Sequence, residues 1–125
     1  MTGLTLDAGA LIAVERDVRG AATRLQRARA AGLPVYVPAG VVGQVWRDGR
    51  RQTRISKLLT SRNVSIVELD GPTARTAGTL CGATGTSDVI DATVVICARK
   101  YSTAIITSDP DDLRRLDPSA DLIVV

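Results

Sequence analysis

Four aspartates stand where carboxylates could meet and share a metal ion: Asp7, Asp88, Asp91 and Asp109. Asp7 follows the apolar run LTL, and Asp109 follows the run AIITS. Asp88 and Asp91 are three residues apart, so on a helix both would project from one face. Each aspartate alone could be a helix cap. In an open α/β sheet, however, ligands bind beyond the carboxyl ends of the strands, and several acids at that edge favour a common site.

Carboxylates gathered in one place repel each other unless they share a cation. Two of them about 4 Å apart repel by about 4 kcal/mol at an effective dielectric constant near 20. The chain has no His, and its two cysteines lack the spacing of metal ligands. A hard cation that prefers oxygen, Mg²⁺ or Mn²⁺, is therefore expected rather than Zn²⁺. Such an ion activates water and stabilises charge on a phosphoryl group, which predicts phosphodiester hydrolysis.

The basic residues are concentrated in the first half of the chain. Residues 1–62 hold 11 Lys or Arg against 4 acids, and residues 63–125 hold 5 against 9. On a helix, one stretch of arginines would line a single face. The guanidinium group binds two phosphate oxygens at once, so this face is predicted to bind phosphate groups or an acidic partner; a solvated helix face is the alternative. The stretch comprises Arg47, Arg50, Arg51 and Arg54.

Short apolar strands alternate with helical patterns from end to end. Strands are predicted at 4–6, 34–38, 65–69, 104–108 and 122–125, and helices at about 8–15, 18–31, 39–48, 51–61, 72–83 and 88–100, with a short helix over DPDDLRRL. Continuous apolar strands separated by helices are typical of a parallel sheet covered on both faces. We therefore expect a three-layer α/β/α fold with a parallel sheet of about five strands, in which residues 1–125 form a single domain.

Composition argues against several other classes of protein. The chain has no Phe, one Trp and two Tyr, too few for stacking several bases on aromatic side chains. Without His, a histidine-based catalytic triad is excluded. The first residues lack a basic segment of the signal-peptide kind, and no apolar run approaches the roughly 18 residues of a membrane span. A cytoplasmic protein without a membrane partner is expected.

Four segments together resemble a known family. They are LTLDAGALIAV, VPAGVVGQVWRDGRRQ, GTSDVIDATVVICARK and AIITSDPDDLRRL. In order and spacing they are similar to the PIN-domain ribonucleases, and more narrowly to the VapC toxins of bacterial toxin–antitoxin pairs. The resemblance covers essentially the whole chain. It implies an endoribonuclease that uses Mg²⁺ or Mn²⁺ to cleave structured RNA such as tRNA or rRNA, is neutralised by a cognate VapB-type antitoxin and forms a homodimer.

The resemblance also implies roles for particular residues. Asp7, Asp91 and Asp109 match the family's acids, with Asp88 close by as a further metal ligand. Thr107 resembles the hydroxyl that helps to hold water at the ion. Gln44 stands where the family commonly has a Glu, and would orient water or substrate. Ala8 and Gly9 stand where a small hydroxyl residue often follows the first acid, and Asp112 would add a charge if its helix folds back.

Two other functions are weighed against the nuclease. The amide of Gln44 is a poor substitute for a carboxylate, which makes a catalytically weak or inactive PIN-fold module that binds antitoxin or RNA the alternative. A receiver domain has a similar size and fold class, but no Asp directly follows the third strand and no Lys follows the last one. Metal-dependent turnover discriminates the nuclease from the binding module.

Overall fold

Five parallel strands form one sheet in the computed structural model, which describes residues 3–125. Along the sheet the order is β3-β2-β1-β4-β5. The strands are β1 (Leu4–Leu6), β2 (Val35–Pro38), β3 (Val64–Val67), β4 (Ala104–Thr107) and β5 (Leu122–Val124). This confirms the predicted parallel sheet. The domain predicted for 1–125 includes residues 1 and 2, which lie outside the described part.

Helices cover both faces of the sheet. They are α1 (Ala8–Glu15), α2 (Arg19–Ala30), α3 (Ala39–Val45), α4 (Thr53–Leu59), α5 (Gly71–Thr84), α6 (Val89–Tyr101) and α7 (Pro110–Leu116). One group packs around α1, which contacts α2, α3 and α4, and the other is formed by α5, α6 and α7. The predicted three-layer α/β/α fold is confirmed. No single helix of residues 3–125 is long and apolar enough to cross a membrane; α5 and α6 pass by length and composition only as a pair bent by 108°.

The core between the layers is aliphatic. All of β1 is buried, and β4 contributes Ile105 and Ile106, which are 1% and 0% exposed. These strands can be continuous apolar runs because helices shield both sides of the sheet. Leu11 of α1 and Val94 of α6 fill the core from opposite faces. The sheet is thereby fixed between α1 and α6, which begin at Asp7 and at Asp88 and Asp91.

The two helices predicted at 39–48 and 51–61 are shorter than expected. Residues 46–52 form a loop instead. The Gln52 side chain holds this loop, since its Oε1 accepts hydrogen bonds from the backbone N–H groups of Arg47 (2.7 Å) and Asp48 (3.1 Å), while its Nε2 donates to the Val45 carbonyl (2.8 Å). A side chain that bonds nearby backbone groups competes with the helix for them.

The loop overturns the prediction of an arginine-lined helix face. Of the four arginines, only Arg54 lies on a helix. Arg47 donates to the carbonyls of Gly43 and Trp46, and Arg50 pairs with Asp48 at 3.4 Å. Because three of the four arginines lie in the loop, their spacing does not bring them onto one helix face. Arg47 and Arg50 contact different neighbouring groups instead.

Gly3 occupies a tight position where β1 begins. Its φ of 104° is a conformation that residues with a Cβ rarely adopt. A Cβ added here would overlap the carbonyl oxygen of Pro34. That oxygen accepts a hydrogen bond from the Leu4 N–H at 3.0 Å, the contact that starts the pairing of β1 with β2. The approach of the two strands therefore requires glycine.

Candidate active site

Asp7 joins the end of β1 to the start of α1. Its Oδ1 accepts a hydrogen bond from the Ala10 N–H at 2.8 Å and so caps the helix. Its own N–H donates to the Ile106 carbonyl at 3.4 Å, which holds the end of β1 beside β4. The residue is only 5% exposed. Its carboxylate is thus fixed in direction and largely shielded from water.

The end of β4 supplies a hydroxyl and a second acid. Thr107 is fully buried, and its Oγ1 accepts a hydrogen bond from the Asp109 N–H at 3.0 Å. Asp109 is exposed, and its side chain makes no capping bond to α7. Because β1 and β4 are paired in register, Asp7 and Thr107 end neighbouring strands at one edge. The structure therefore brings together the groups that follow β1 and β4.

The first turn of α6 brings two more acids to this edge. β4 follows α6 after a short turn, so α6 runs antiparallel to the strands and begins at their carboxyl ends. Asp88 caps the helix through its Oδ1, which accepts a hydrogen bond from the Asp91 N–H at 2.9 Å. Asp91 is partly buried. As predicted, both acids lie at the start of one helix.

The acids at this edge influence one another electrostatically, and we refer to Asp7, Asp88, Asp91 and Asp109 as the acid cluster. Burial, followed by the charges of Asp88, Asp7 and Asp112, raises the pKa of Asp91 to about 7. Burial also raises the pKa of Asp7, with a smaller contribution from Asp109; hydrogen bonds from the Thr107 hydroxyl and the Ala10 N–H oppose this shift. Like charges disfavour the ionised form of their neighbours. Asp112, on the folded-back α7, therefore joins the cluster.

The cluster fits a hard divalent cation by its chemistry, although its side chains do not converge. Within residues 3–125, no three Asp, Glu, His or Cys side chains lie as a ready ligand set. Asp88 gives its Oδ1 to the helix, and Asp109 makes no capping bond, so both retain oxygens for an ion. Oxygen donors suit Mg²⁺ or Mn²⁺. A shared cation would also offset the repulsion from neighbouring carboxylates, which adds to burial in raising the pKa of Asp91.

The Ser108 side chain, which directly follows β4, packs against Gly9 in the first turn of α1. A Cβ at Gly9 would overlap the Ser108 hydroxyl, which follows β4. The resemblance implies a small hydroxyl residue directly after Asp7, and the chain has Ala8 and Gly9 there. Ser108 thus supplies a hydroxyl at the first turn of α1. The sequence gives no signal for this, because 9 and 108 meet only in the folded chain.

Arg54, the one predicted arginine that lies on a helix, is far from the acid cluster. Arg54 contacts the far end of α1, where it donates to the Glu15 carbonyl at 3.4 Å and pairs with Asp17 at 3.8 Å. The eight residues of α1 place that end about 12 Å from Asp7. A different arginine, Arg115, was not predicted for this region; it pairs with Asp112 at 3.9 Å and lines a cleft together with Asp88 and Asp91. The sequence pattern of α7 does not indicate that this helix packs against α5 and α6, so the position of Arg115 could not be predicted from it.

Gln44 lies exposed in the last turn of α3, the helix that starts at the carboxyl end of β2. If position 44 faces the ion, Gln44→Glu is expected to tighten Mn²⁺ binding about tenfold, about 1.4 kcal/mol, because a carboxylate binds the ion more strongly than an amide. The Mn²⁺ dependence of the melting temperature measures this effect. Gln44→Ala is the matched control and should not tighten binding; unchanged affinity in Gln44→Glu would place residue 44 away from the ion.

Known proteins share the fold and identify the family of this chain. The model of the PIN domain family matches residues 4–118, so the chain belongs to the PIN domain family. PIN domains are generally nucleases. Among proteins with curated descriptions, none matches the sequence.

Solved structures of toxin–antitoxin systems share the fold. VapBC2 from Rickettsia felis, bound to a DNA fragment from its promoter, is similar with a TM-score of 0.70 at 12% identity, covering 98% of each chain. A toxin–antitoxin complex from Klebsiella pneumoniae has a TM-score of 0.71 at 15% identity, covering 97% of this chain and 96% of that one. FitAB bound to the IR36 DNA fragment has a TM-score of 0.64 at 13% identity, with 97% and 94% covered.

Proposed function

We propose that this PIN domain is the toxin of a VapBC-type pair, a cytoplasmic endoribonuclease that cleaves structured RNA such as tRNA or rRNA with Mg²⁺ or Mn²⁺. One observation carries the proposal: the aspartates that follow β1 and β4 and the two at the start of α6 lie at one edge of the sheet, where burial first, and then the charges of Asp88, Asp7 and Asp112, raise the pKa of Asp91 to about 7. Such an edge is where open α/β sheets bind ligands. Family membership supports nuclease chemistry there.

The metal ligands in this proposal are Asp7, Asp88, Asp91 and Asp109. When bound, the ion would lower the pKa of water and offset the charge that builds up on the phosphoryl group. Asp88 and Asp109 are exposed, so their carboxylates can turn towards the ion. Gln44, with its neutral amide, would orient water or the RNA.

Rigid residues around Asp7 would fix the direction of attack. Asp7 is buried and capped onto α1, and the Thr107 hydroxyl holds both the Asp7 carboxylate and the Asp109 N–H. Groups held in place before the reaction lower the entropy lost on reaching the transition state. Hydrolysis adds water to phosphorus and breaks one P–O ester bond, and these residues would keep the reacting phosphate in line with that water.

A groove between α1, α2 and α4 suits the antitoxin. It encloses about 290 Å³ and presents the apolar side chains of Val14, Leu25 and Leu58. Arg29, Arg54 and Lys57 also line it and outnumber the one acid in its described lining, Asp17, which pairs with Arg54. An amphipathic helix with acidic flanks would match both features. Arg54 fits this acidic partner better than RNA at the acid cluster, and an arginine of the antitoxin could then enter the cluster itself.

The exposed edge of the sheet suits a second copy of the chain. On and just after β3, Ile66 is 50% exposed and Leu69 is 40% exposed. They lie beside the stacked rings of Tyr36 and Tyr101, whose centroids are 3.9 Å apart. Apolar side chains at a free edge strand are commonly covered by a partner. We place the homodimer contact at this edge.

Cleavage of structured RNA by the purified chain tests the proposed function. We expect cuts at discrete positions with Mn²⁺ or Mg²⁺, none with chelator, and none from Asp91→Asn, since the ion and Asp91 act together. Gel analysis of end-labelled tRNA and rRNA fragments measures the result. A folded protein that neither cleaves nor gains melting temperature with either metal would instead be the binding module.

A further inference from the structure

A cleft of about 600 Å³ opens beside the acid cluster, and apart from Asp88 and Asp91 its lining residues have no role in the proposed metal site. One wall is the turn between α5 and α6, and the other is α7. Asp88 and Asp91 lie at its border, so a ligand in the cleft would be next to the proposed reaction centre. A space of this size is typical of small-molecule and nucleotide pockets. The turn contributes Thr84, Gly85, Thr86 and Ser87.

Arg115 gives the cleft a positive charge in acidic surroundings. Among the residues of 3–125 that line it, Arg115 is the only cation, and Asp88, Asp91 and Asp112 are its acids. The guanidinium lies 3.9 Å from Asp112, and both side chains are more than half exposed. An exposed pair at this distance contributes little to stability. Arg115 can therefore leave Asp112 for a stronger anion at small cost.

The opposite wall is rich in hydroxyls. The Thr84 hydroxyl donates to the Leu80 carbonyl at 2.8 Å and lies 3.4 Å from the Thr86 hydroxyl. The turn depends on Gly85, whose φ of 70° ends α5 in a left-handed conformation. Hydroxyl groups can both donate to and accept from ribose and phosphate oxygens. The cleft thus combines a cation that suits phosphate with polar groups that suit the sugar.

We propose that this cleft binds the nucleotide next to the cleaved bond, with Arg115 holding its phosphate and the Thr84–Ser87 turn facing its ribose. The inference rests on the proposed function. Acids that hold a metal would otherwise repel the neighbouring phosphates of RNA. Arg115 offsets this repulsion in the cleft that Asp88 and Asp91 line, because its guanidinium can bind two phosphate oxygens.

Binding of RNA without cleavage tests the role of Arg115. In the Asp91→Asn background, we expect Arg115→Ala to raise the Kd for a fluorescent single-stranded RNA of mixed sequence about tenfold. The slope of log Kd against log salt should fall by about 0.7, the value for one phosphate contact on a single strand. Arg114→Ala is the matched control, since Arg114 is a neighbouring exposed arginine on α7 that does not line the cleft. It should change Kd by less than about twofold.

The outcomes separate this inference from the proposed function. Equal effects of the two alanine variants, or no effect of Arg115→Ala, would overturn the role of the cleft. Cleavage by the unmodified protein is measured in parallel. If that protein cleaves RNA but Arg115→Ala binds normally, only the inference fails; if it neither cleaves nor binds RNA, the proposed function fails with it.

Discussion

Replacing Asp91 with Asn is expected to reduce RNA cleavage by about a thousandfold while making the metal-free protein more stable. The loss of activity follows from the position of Asp91 at the centre of the cluster, where it interacts with Asp7, Asp88 and Asp112. Asn keeps the shape of the side chain but removes its charge. The variant should also lose the rise in melting temperature that Mn²⁺ gives the unmodified protein.

The gain in stability follows from the raised pKa of Asp91. Because the folded state holds the proton up to a pH of about 7 and the unfolded chain releases it near 3.8, stability falls as pH rises through this window. Above this pH window, Asp91 is charged in the folded state, and its burial and repulsion lower the free energy of unfolding by the full amount. Asp91 is only partly buried, and solvent screening reduces this cost to about 1–2 kcal/mol. Asp91→Asn removes it, so melting near pH 8 should rise by about 3–8 °C.

Thermal melting of the metal-free protein at about pH 5 and about pH 8 measures this effect. The two proteins should differ more at the higher pH. Asp121→Asn makes the same chemical change at an exposed position and should alter neither activity nor the pH response. A variant that keeps its cleavage activity, or that melts below the unmodified protein at the higher pH, would contradict the assigned role of Asp91.

Gly3→Ala is expected to lower the free energy of unfolding by about 3 kcal/mol or more. Two costs add up at this position. A residue with a Cβ is strained at a φ of 104°, and the new methyl group would overlap the Pro34 carbonyl oxygen. Because the overlapping atom belongs to the backbone and not to a flexible side chain, β1 itself would have to move away from β2.

Gly32→Ala separates the two costs. Gly32 also has a positive φ, 68°, but nothing lies within 4 Å of an added Cβ. Gly32→Ala should therefore lower the free energy of unfolding only by the conformational cost of about 1 kcal/mol. Urea denaturation followed by circular dichroism measures both variants. Equal losses in the two would show that the approach of Gly3 to Pro34 contributes nothing to stability.

Much of the fold can be predicted because its signals are local. Each strand is an apolar run, and α1, α5 and α6 begin at aspartates that cap them. The same local rule locates the acids, because a residue that follows a parallel strand lies at the carboxyl edge of the sheet. Asp7 and Asp109 are predicted in this way. Asp88 and Asp91 reach the same edge because the helix that precedes a parallel strand begins at the carboxyl ends of the strands.

The arginines show where local patterns fail. The spacing of Arg47 and Arg51 is helical, but Gln52 bonds three backbone groups and holds the segment as a loop. The cleft at Arg115 depends instead on how α7 packs against α5 and α6. Contacts of that kind join residues far apart in sequence, and no spacing rule reports them.

The carboxylates of Asp7 and Asp88 cap helices as well as carrying charge, and this affects how substitutions at this edge should be chosen. Each holds the first turn of a helix through one oxygen. Replacement by alanine would remove a helix cap, about 1 kcal/mol, together with the charge. Replacement by asparagine removes the charge alone, because the amide oxygen still caps. An alanine scan of this edge would therefore remove caps as well as charges, whereas an asparagine scan keeps the caps and reports the effect of the charges on stability and activity.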